Sequence, residues 1–167
     1  MNLLSFAFNA LLGPWKRDNT PMAVDQSHTQ KSSISQAEAL KMKITHEDVL
    51  MGRIKRQDLT AEQAQNLDIL VQRINALFET FDETLVVSSG YRSPSQNALA
   101  GGAKKSHHMN CAAIDLRDLD GKIWKFCIDN IELCEKLGIW LEDKGATPTW
   151  THLQVYPPKS RRRIFRP

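Results

Sequence analysis

The chain has 167 residues, of which 41% are hydrophobic, and this content can bury one compact core but hardly two. Its formal net charge is only +3 and no aromatic-rich basic motif accompanies that charge, so the sequence does not predict a nucleic-acid partner. Three cysteines, at no zinc-knuckle spacing, argue against a disulfide framework and for maturation in a reducing cytosol.

The N-terminal region, residues 1–36, differs from the rest in composition. Residues 1–12 are apolar, but they are too few to span a bilayer and lack a basic start, so we predict neither a transmembrane segment nor an export signal. They form either an amphipathic helix, which docks on a membrane or a partner through residues 1–17, or a short helix packed on its own domain. Residues 18–36 are polar and predict a linker to one folded domain, residues 37–167.

Two helices are predicted at the start of that domain. Thr45 and Asp48 form a capping box, followed by an apolar side over residues 49–54. Thr60 and Gln63 form a second box, which begins a longer amphipathic helix. Its apolar residues recur at steps of three and four positions, the spacing of a helix packed on a core: Leu67, Leu70, Ile74, Leu77 and Phe78.

Short strands and one further helix follow. Residues 84–87 predict a buried strand that leads into a loop bearing Arg92, and residues 112–116 predict a second strand. Apolar residues then recur at helical spacing over residues 123–137 and predict one continuous helix.

The chain ends in a predicted hairpin. Residues 139–142 and 149–156 form two antiparallel strands joined by residues 143–146, and Pro157 with Pro158 ends the second strand. Helices that flank a small, mainly antiparallel sheet define an α+β domain. We expect a functional site on the open face of this sheet.

Histidine and aspartate side chains in two segments offer ligands for a metal ion. The first segment runs from Ser106 to Asp115 and the second from Trp150 to Gln154. A hydrolytic zinc site needs about three imidazole or carboxylate ligands and one open position for water. The candidate ligands are His108, Asp115 and His152.

These segments resemble the zinc-dependent D-alanyl-D-alanine peptidase family. That family includes D,D-carboxypeptidases and phage endolysins that cut peptidoglycan, and it shares its fold with hedgehog signalling domains. Its Ser-x-His motif, followed after four residues by Ala-x-Asp, is matched by Ser106, His108, Ala113 and Asp115. Cys111 stands where the family usually has glycine.

Two more blocks carry the resemblance, which spans residues 45–167. Residues 88–93, Ser-Ser-Gly-Tyr-Arg-Ser, look like the family's arginine-bearing loop, and residues 150–154, Trp-Thr-His-Leu-Gln, match its closing histidine strand. The resemblance implies that residues 37–167 are a zinc peptidase-like catalytic domain. It also implies that the three candidate ligands bind Zn²⁺ and that the substrates are peptidoglycan peptides.

Substrate-facing roles are predicted for residues in the matched blocks. Arg92 either binds the oxyanion or a substrate carboxylate, because a guanidinium makes two-point contacts and keeps its charge, or braces its loop. The family resemblance implies that Ser106 donates a hydrogen bond to the substrate or orients the ligand loop. Tyr91 and Gln154 are predicted to contact the substrate.

The general base is where this sequence departs from the family, which usually places Asp or Glu three residues before the last zinc-binding histidine. Thr149 stands there, and threonine cannot shuttle a proton near neutral pH. Glu142 is the predicted replacement because the hairpin brings it towards the site; Asp143 is the second candidate and His107 an assisting acid. The alternative is that Glu142 is a solvated carboxylate at a strand end.

Two functions remain open from sequence. The first is a zinc peptidase that hydrolyses peptidoglycan peptides, as a D,D-carboxypeptidase or as an endopeptidase of the lysin type. The second is a non-catalytic zinc-binding domain that serves as a phage structural or cell-wall-binding component. The short form and the lack of an export signal favour a phage or prophage protein, located in the host cytoplasm or on the virion and acting on the cell wall.

Two further features have alternative interpretations. Cys111 is either a spare thiolate near the metal or an ordinary residue of the ligand loop. The basic residues near the C-terminus either attract an anionic polymer such as the cell wall or form a solvated tail: Lys159, Arg161, Arg162, Arg163 and Arg166.

Overall fold

The computed structural model describes residues 43–167. The apolar segment and linker predicted for residues 1–36, and the docking predicted for residues 1–17, lie outside the described residues. In the part of the chain that is described, no helix is both long and apolar enough to cross a membrane.

Capped helices open the described chain. In chain order the helices are α1 (His46–Leu50), α2 (Ala61–Leu77), α3 (Pro94–Leu99), α4 (Lys122–Asp129) and α5 (Ile131–Lys136), with short 3-10 turns at Arg56–Asp58 and His107–Asn110. The capping boxes predicted at Thr45 and Thr60 are confirmed, and Ser93 forms a third with Gln96 at the start of α3. Helix α1 is shorter than its apolar pattern suggests because Met51 adopts a left-handed φ of 55° and ends it.

Helix α2 forms one wall of the hydrophobic core. The predicted apolar stripe is confirmed, since its members and Val71 are buried. Phe78, directly after the helix, packs against Phe81 and Phe126 with ring centroids 5.5 and 5.4 Å apart. The apolar face of α2 belongs to the same core as the buried residues of the sheet, and the polar face of the helix is exposed to solvent.

The strands within residues 43–167 form one sheet, in the order β1-β2-β4-β3-β5. They are β1 (Val87–Ser89), β2 (Ala113–Arg117), β3 (Trp140–Glu142), β4 (Trp150–Gln154) and β5 (Ile164–Phe165). All neighbouring pairs are antiparallel except β3 and β5, which are parallel. The fold is therefore α+β, as predicted.

The pairing of β2 and β4 brings two of the candidate metal ligands together. Strands β2 and β4 run antiparallel with Asp115 directly opposite His152. Directly opposed side chains on one face of an antiparallel pair lie about 5 Å apart at Cβ, so the ladder itself brings the two residues together.

The first strand and the third helical segment differ from the predictions. The strand predicted at residues 84–87 begins only at Val87 and extends to Ser89, although the Val86 carbonyl already accepts from the Arg117 N–H at 2.8 Å. The single helix predicted over residues 123–137 is two helices, since Asn130 has a non-helical φ of −114° between them.

The C-terminal segment also differs from its prediction. Strand β4 ends at Gln154, before the prolines, and the basic segment returns to the sheet as β5 instead of leaving as a solvated tail. Arg163 packs over the Trp140 ring at 4.4 Å and donates to the Ile139 carbonyl at 2.8 Å. A two-residue strand is too short to give a periodic signal, which explains why it was missed.

Candidate metal centre

Three side chains from separate elements meet at one point of the sheet. His108 lies in the 3-10 turn before β2, Asp115 lies in β2, and His152 lies in β4. The turn ends at Cys111, whose left-handed φ of 55° redirects the chain into β2. Because of that reversal, His108 folds back over the strand that carries Asp115.

The donor atoms of these residues are close enough to bind one ion. Asp115 Oδ1 lies 2.7 Å from His152 Nδ1 and 3.3 Å from His108 Nε2. All three residues are buried, and their ligand atoms lie within 4.8 Å of one another. Two imidazole nitrogens and one carboxylate oxygen fit zinc, which takes three protein ligands at hydrolytic sites.

Hydrogen bonds orient both histidine rings. Nδ1 of His108 lies 2.7 Å from the Gly90 carbonyl oxygen, so Nδ1–H donates and Nε2 is the nitrogen that faces Asp115. Nε2 of His152 lies 3.3 Å from Oε1 of Gln154, whose own NH₂ group donates to the Tyr156 carbonyl at 2.7 Å. The nitrogens that face Asp115 are therefore His108 Nε2 and His152 Nδ1, which donate to its carboxylate when they are protonated and offer lone pairs to a metal ion when they are not.

The Gly90 carbonyl reaches His108 because residue 90 has no side chain. A Cβ atom at this position would lie 1.9 Å from the Val49 carbonyl oxygen, closer than real atoms approach. The next residue, Tyr91, donates its N–H to the same Val49 oxygen at 2.7 Å. A glycine at 90 is thus required for the close contact between α1 and the loop that orients His108.

Arg92 contacts the second oxygen of the aspartate. Its Nη2 donates to Asp115 Oδ2 at 2.7 Å and its Nε donates to Ser89 Oγ at 2.8 Å. The Arg92 side chain is 17% exposed and lines the open side of the site. The contact holds Asp115 so that Oδ1 faces the two histidines, and it agrees with a bracing role for Arg92 alongside the predicted substrate role.

The charges in the cluster shift its pKa values in different directions. Burial alone would raise the pKa of Asp115, but hydrogen bonds from His108 and His152 outweigh burial and hold that pKa far below its usual range. Burial lowers the pKa of His108, and the nearby carboxylate only partly offsets it. Burial acts the same way on His152, but the hydrogen bond and charge of Asp115, together with the charge of Glu142 and the contact with Gln154, outweigh burial and raise the pKa of His152.

The cluster opens into a cleft of about 680 Å³. One wall is the loop that precedes His108, and it contributes Gly101, Gly102, Ala103, Lys105, Ser106 and His107. The other wall combines the β3–β4 hairpin with the C-terminal segment, through Glu142, Thr147, Trp150, Pro158, Lys159, Ser160, Phe165, Arg166 and Pro167. The site is therefore buried at its base and open above.

Three of the four residues predicted to meet the substrate line this cleft. Arg92, Ser106 and Gln154 do so, although Gln154 is only 4% exposed and its amide is engaged with His152 and Tyr156. Tyr91 does not line the cleft of the described chain, because the residue is 7% exposed and packs in the hydrophobic core. The position of Tyr91 does not support a contact with substrate.

The candidate bases occupy different places. Glu142 lines the cleft, and burial raises the pKa of its carboxyl group, which suits a general base. Asp143 faces away, and its Oδ1 accepts from Arg166 and from the Gly145 N–H. His107 lines the cleft, and burial lowers the pKa of its ring.

Cys111 is not a spare thiolate. Its side chain is fully buried, and burial raises the pKa of the thiol to about 11. It lies outside the group of donor atoms that meet at Asp115. The thiol therefore stays protonated near neutral pH and serves as packing at the end of the 3-10 turn.

Several residues of the site carry no recognisable sequence signal. The cleft wall at residues 158–160 and 165–167 arises because a segment remote from the motifs returns to β3. Thr147 lies in the cleft although its sequence neighbourhood reads as an ordinary turn. Gly90 alone had a possible signal, since a glycine after a strand and before an arginine-bearing loop indicates a close backbone approach.

Comparison with known proteins gives one family. The family model described as Peptidase M15 matches residues 43–152, which is about two thirds of the chain and includes all three candidate ligands. No curated protein matches the chain.

Proposed function

Because the chain belongs to the peptidase M15 family, a family of metallopeptidases, we propose that it is a zinc peptidase that hydrolyses peptide bonds of peptidoglycan. The buried His108–Asp115–His152 group at the base of an open cleft is the observation that carries this proposal. Supporting it further, the three blocks of sequence that resemble wall peptidases all contribute to that cleft. The reaction is that of a D,D-carboxypeptidase or of an endopeptidase of the lysin type.

The donor set explains what the metal contributes. His108, Asp115 and His152 would hold the zinc ion, and a zinc ion bound there would supply a Lewis acid to polarise the peptide carbonyl and activate water. The remaining requirements of amide hydrolysis are proton transfer, stabilisation of the oxyanion and placement of the peptide.

Glu142 is the residue we propose for proton transfer. Its carboxylate lines the cleft on the strand next to the one bearing His152, and its raised pKa keeps it basic enough to accept a proton from attacking water. The same carboxyl group then returns that proton to the leaving amine. The mechanism thus replaces the acidic residue that the family usually has at position 149.

Arg92 and Ser106 are proposed to place and stabilise the substrate. The guanidinium already neutralises Asp115 Oδ2 and adds permanent positive charge at the base of the cleft, where an oxyanion develops. Ser106 directly precedes the 3-10 turn that carries His108, and its side chain makes no hydrogen bond to that turn. Its hydroxyl is therefore available for a hydrogen bond to the peptide.

One observation favours a second function, a non-catalytic zinc-binding domain in a phage structural or cell-wall-binding component. Thr149 has no carboxylate at the position where the family usually has one, and its backbone carbonyl accepts from the Asp118 N–H at 3.0 Å. If the domain only binds zinc, Glu142 transfers no proton. A phage or prophage setting, in the host cytoplasm or on the virion, stays a prediction.

The test is digestion of purified peptidoglycan followed by mass spectrometry of the products. We expect the zinc-loaded protein to release defined fragments, whose masses identify the bond, and the His108→Ala, His152→Ala double variant to release none. A zinc-loaded parent that is inert on wall preparations of several cross-link types would contradict the peptidase and support the binding domain.

A further inference from the structure

The 3-10 turn that carries His108 is held by two side chains of α2. The Gln63 amide donates to the Met109 carbonyl at 2.9 Å, and the Asn66 amide donates to the Asn110 carbonyl at 3.0 Å. These are the last two carbonyls of the turn, and the final carbonyls of any helical segment need partners from outside it. Helix α2 therefore fixes the C-terminal end of this turn.

Asn66 is a polar residue on the buried side of α2. It is 2% exposed, and its neighbours Leu67 and Leu70 belong to the hydrophobic core. Burying an amide is unfavourable unless its NH₂ group and its oxygen both have hydrogen-bond partners. Asn66 has both, because its Nδ2 donates to Asn110 and its Oδ1 accepts from the Tyr156 hydroxyl at 2.7 Å. The residue thus joins α2, the turn and the segment that follows β4.

Tyr156 extends this connection to the second histidine ligand. Its backbone carbonyl accepts from Gln154 Nε2 at 2.7 Å, and Gln154 Oε1 lies 3.3 Å from His152 Nε2. The Tyr156 ring also packs against the ring of His107, with centroids 5.7 Å apart and planes inclined by 30°. One tyrosine therefore contacts the end of the strand that bears one histidine ligand and, directly and through Asn66, the turn that bears the other.

We propose that Tyr156 is a positioning residue for the metal centre, whose hydroxyl holds the turn of His108 through Asn66 and thereby raises the affinity for zinc. The inference rests on the proposed function, since it takes the buried histidine and aspartate group as a zinc site. Neither Tyr156 nor Asn66 belongs to that group. They act by holding His108 in place before the ion binds, because a ligand that is already ordered loses less conformational freedom on binding.

The experiment measures the zinc affinity of the full-length protein by competition with a chromophoric chelator. The variants are Tyr156→Phe, which removes the hydroxyl and keeps the ring, Asn66→Ala, and the two combined. The matched control is Asn75→Ala, because Asn75 lies at the other end of α2 and bonds the backbone of Lys43 and Ile44 at 2.6 to 3.0 Å. The visible absorption of the cobalt(II)-loaded proteins reports ligand geometry, and thermal unfolding of the metal-free proteins reports stability.

We expect Tyr156→Phe to weaken zinc binding by about tenfold and to change the cobalt spectrum, which is the effect of losing a contact that orients a metal ligand. Asn66→Ala should weaken binding at least as much, because it also removes the donor to the Asn110 carbonyl. The double variant should bind zinc like Asn66→Ala, since both substitutions break the same connection. Asn75→Ala should lower the unfolding temperature and keep the zinc affinity and cobalt spectrum of the parent.

Parent-like zinc affinity and cobalt spectrum in Tyr156→Phe would overturn the positioning role, whatever its unfolding temperature. An equal loss of affinity in Asn75→Ala would overturn it too, because the effect would then follow from general destabilisation. Hydrolysis of peptidoglycan by the parent is measured separately. A parent that cleaves, with Tyr156→Phe binding zinc as tightly, contradicts the positioning role alone, and an inert parent with weakened zinc binding in Tyr156→Phe contradicts the peptidase alone. A parent that binds no zinc contradicts both.

Discussion

Two buried aspartates on the same stretch of chain have opposite surroundings. Asp115 lies in β2 and Asp118 lies just after it, and they are 5% and 2% exposed. Burial raises the pKa of both carboxyl groups, but hydrogen bonds outweigh it and leave both pKa values lowered. By burial and ionisation alone the two residues are alike.

The partners of Asp118 are all donors. Lys144 Nζ and Thr151 Oγ1 donate to its Oδ2 at 2.6 and 2.7 Å, while the Ile123 and Trp124 N–H groups donate to its two oxygens at 3.1 Å. The Asp118 carboxylate therefore caps the start of α4, and its side chain is fully buried. Asp118 is thus a structural anchor.

The partners of Asp115 include two imidazole rings, whose nitrogens carry lone pairs when neutral, and the cluster opens into the cleft. A metal ion can therefore replace protons there, which it cannot do at Asp118. A low carboxylate pKa therefore does not identify a metal site, whereas nitrogen lone pairs that converge on the carboxylate and an opening to solvent do identify one.

The strongest test of this contrast removes the lone pairs at Asp115. We expect the His108→Ala, His152→Ala double variant to fall from about one zinc per chain to below about a tenth, because two of three ligands are lost. Elemental analysis after dialysis measures this. Stoichiometric zinc in the double variant would contradict the assignment, and Lys144→Met, which disturbs only the Asp118 site, serves as the control that keeps its metal.

Glu142→Gln sharpens the contrast by preserving shape while removing basicity. We expect zinc content to be unchanged and hydrolysis to fall by roughly 10²–10⁴-fold, the contribution of a general base. The acidic limb of the pH-rate profile should disappear with it. Full activity in this variant, with an inactive Asp143→Asn variant, would make the neighbouring carboxylate the base.

Arg92→Ala removes the charged partner of Asp115 Oδ2. We expect hydrolysis to fall by about a hundredfold, the effect of losing one oxyanion partner, and zinc affinity to fall by roughly 10-fold to 100-fold, the effect of losing a ligand-orienting contact. Competition with a chelator measures zinc affinity independently of the rate of hydrolysis. Arg92→Lys should rescue only part of each, and parent-like turnover in Arg92→Ala would show that the residue only braces its loop.

Asp118→Asn should affect stability and leave metal binding intact. We expect it to lower the free energy of unfolding at neutral pH by about 2 kcal/mol, a value reduced from that of a fully buried pair because Lys144 is partly exposed. The folded-state pKa of Asp118 is lowered, so its stabilisation is present above about pH 4 and is lost as the pH falls further. Urea titrations should show a flatter acid dependence in the variant, and an equally steep one would exclude Asp118 as its source.

Much of the site was predictable because its ligands obey local rules. The Ser106 to Asp115 spacing and the residues around His152 are contiguous patterns, and the capping boxes at Thr45 and Thr60 are decided by residues three apart. The helix stripe of α2 is likewise set by local periodicity. Short-range features of this kind can be read without knowing the tertiary structure.

What was missed depends on contacts between distant segments. Strand β5 exists because residues 164–165 pair with β3, and the buried position of Tyr91 results from packing of its loop on α1. Asn130 ends α4 through a local change of φ that the apolar stripe does not reveal, since buried residues continue on both sides. Tertiary packing decides these features, and a single sequence does not display it.

The ladder that places Asp115 opposite His152 also has a consequence for folding. Side chains alternate between the faces of a strand, so a slip of one residue between β2 and β4 would put Thr151 or Leu153 opposite Asp115 and turn the carboxylate and the imidazole to opposite faces. A metal ion cannot bridge them when the register is slipped by one residue. Zinc bound by His108, Asp115 and His152 would therefore stabilise the native alignment of β2 and β4 relative to alignments shifted by one residue.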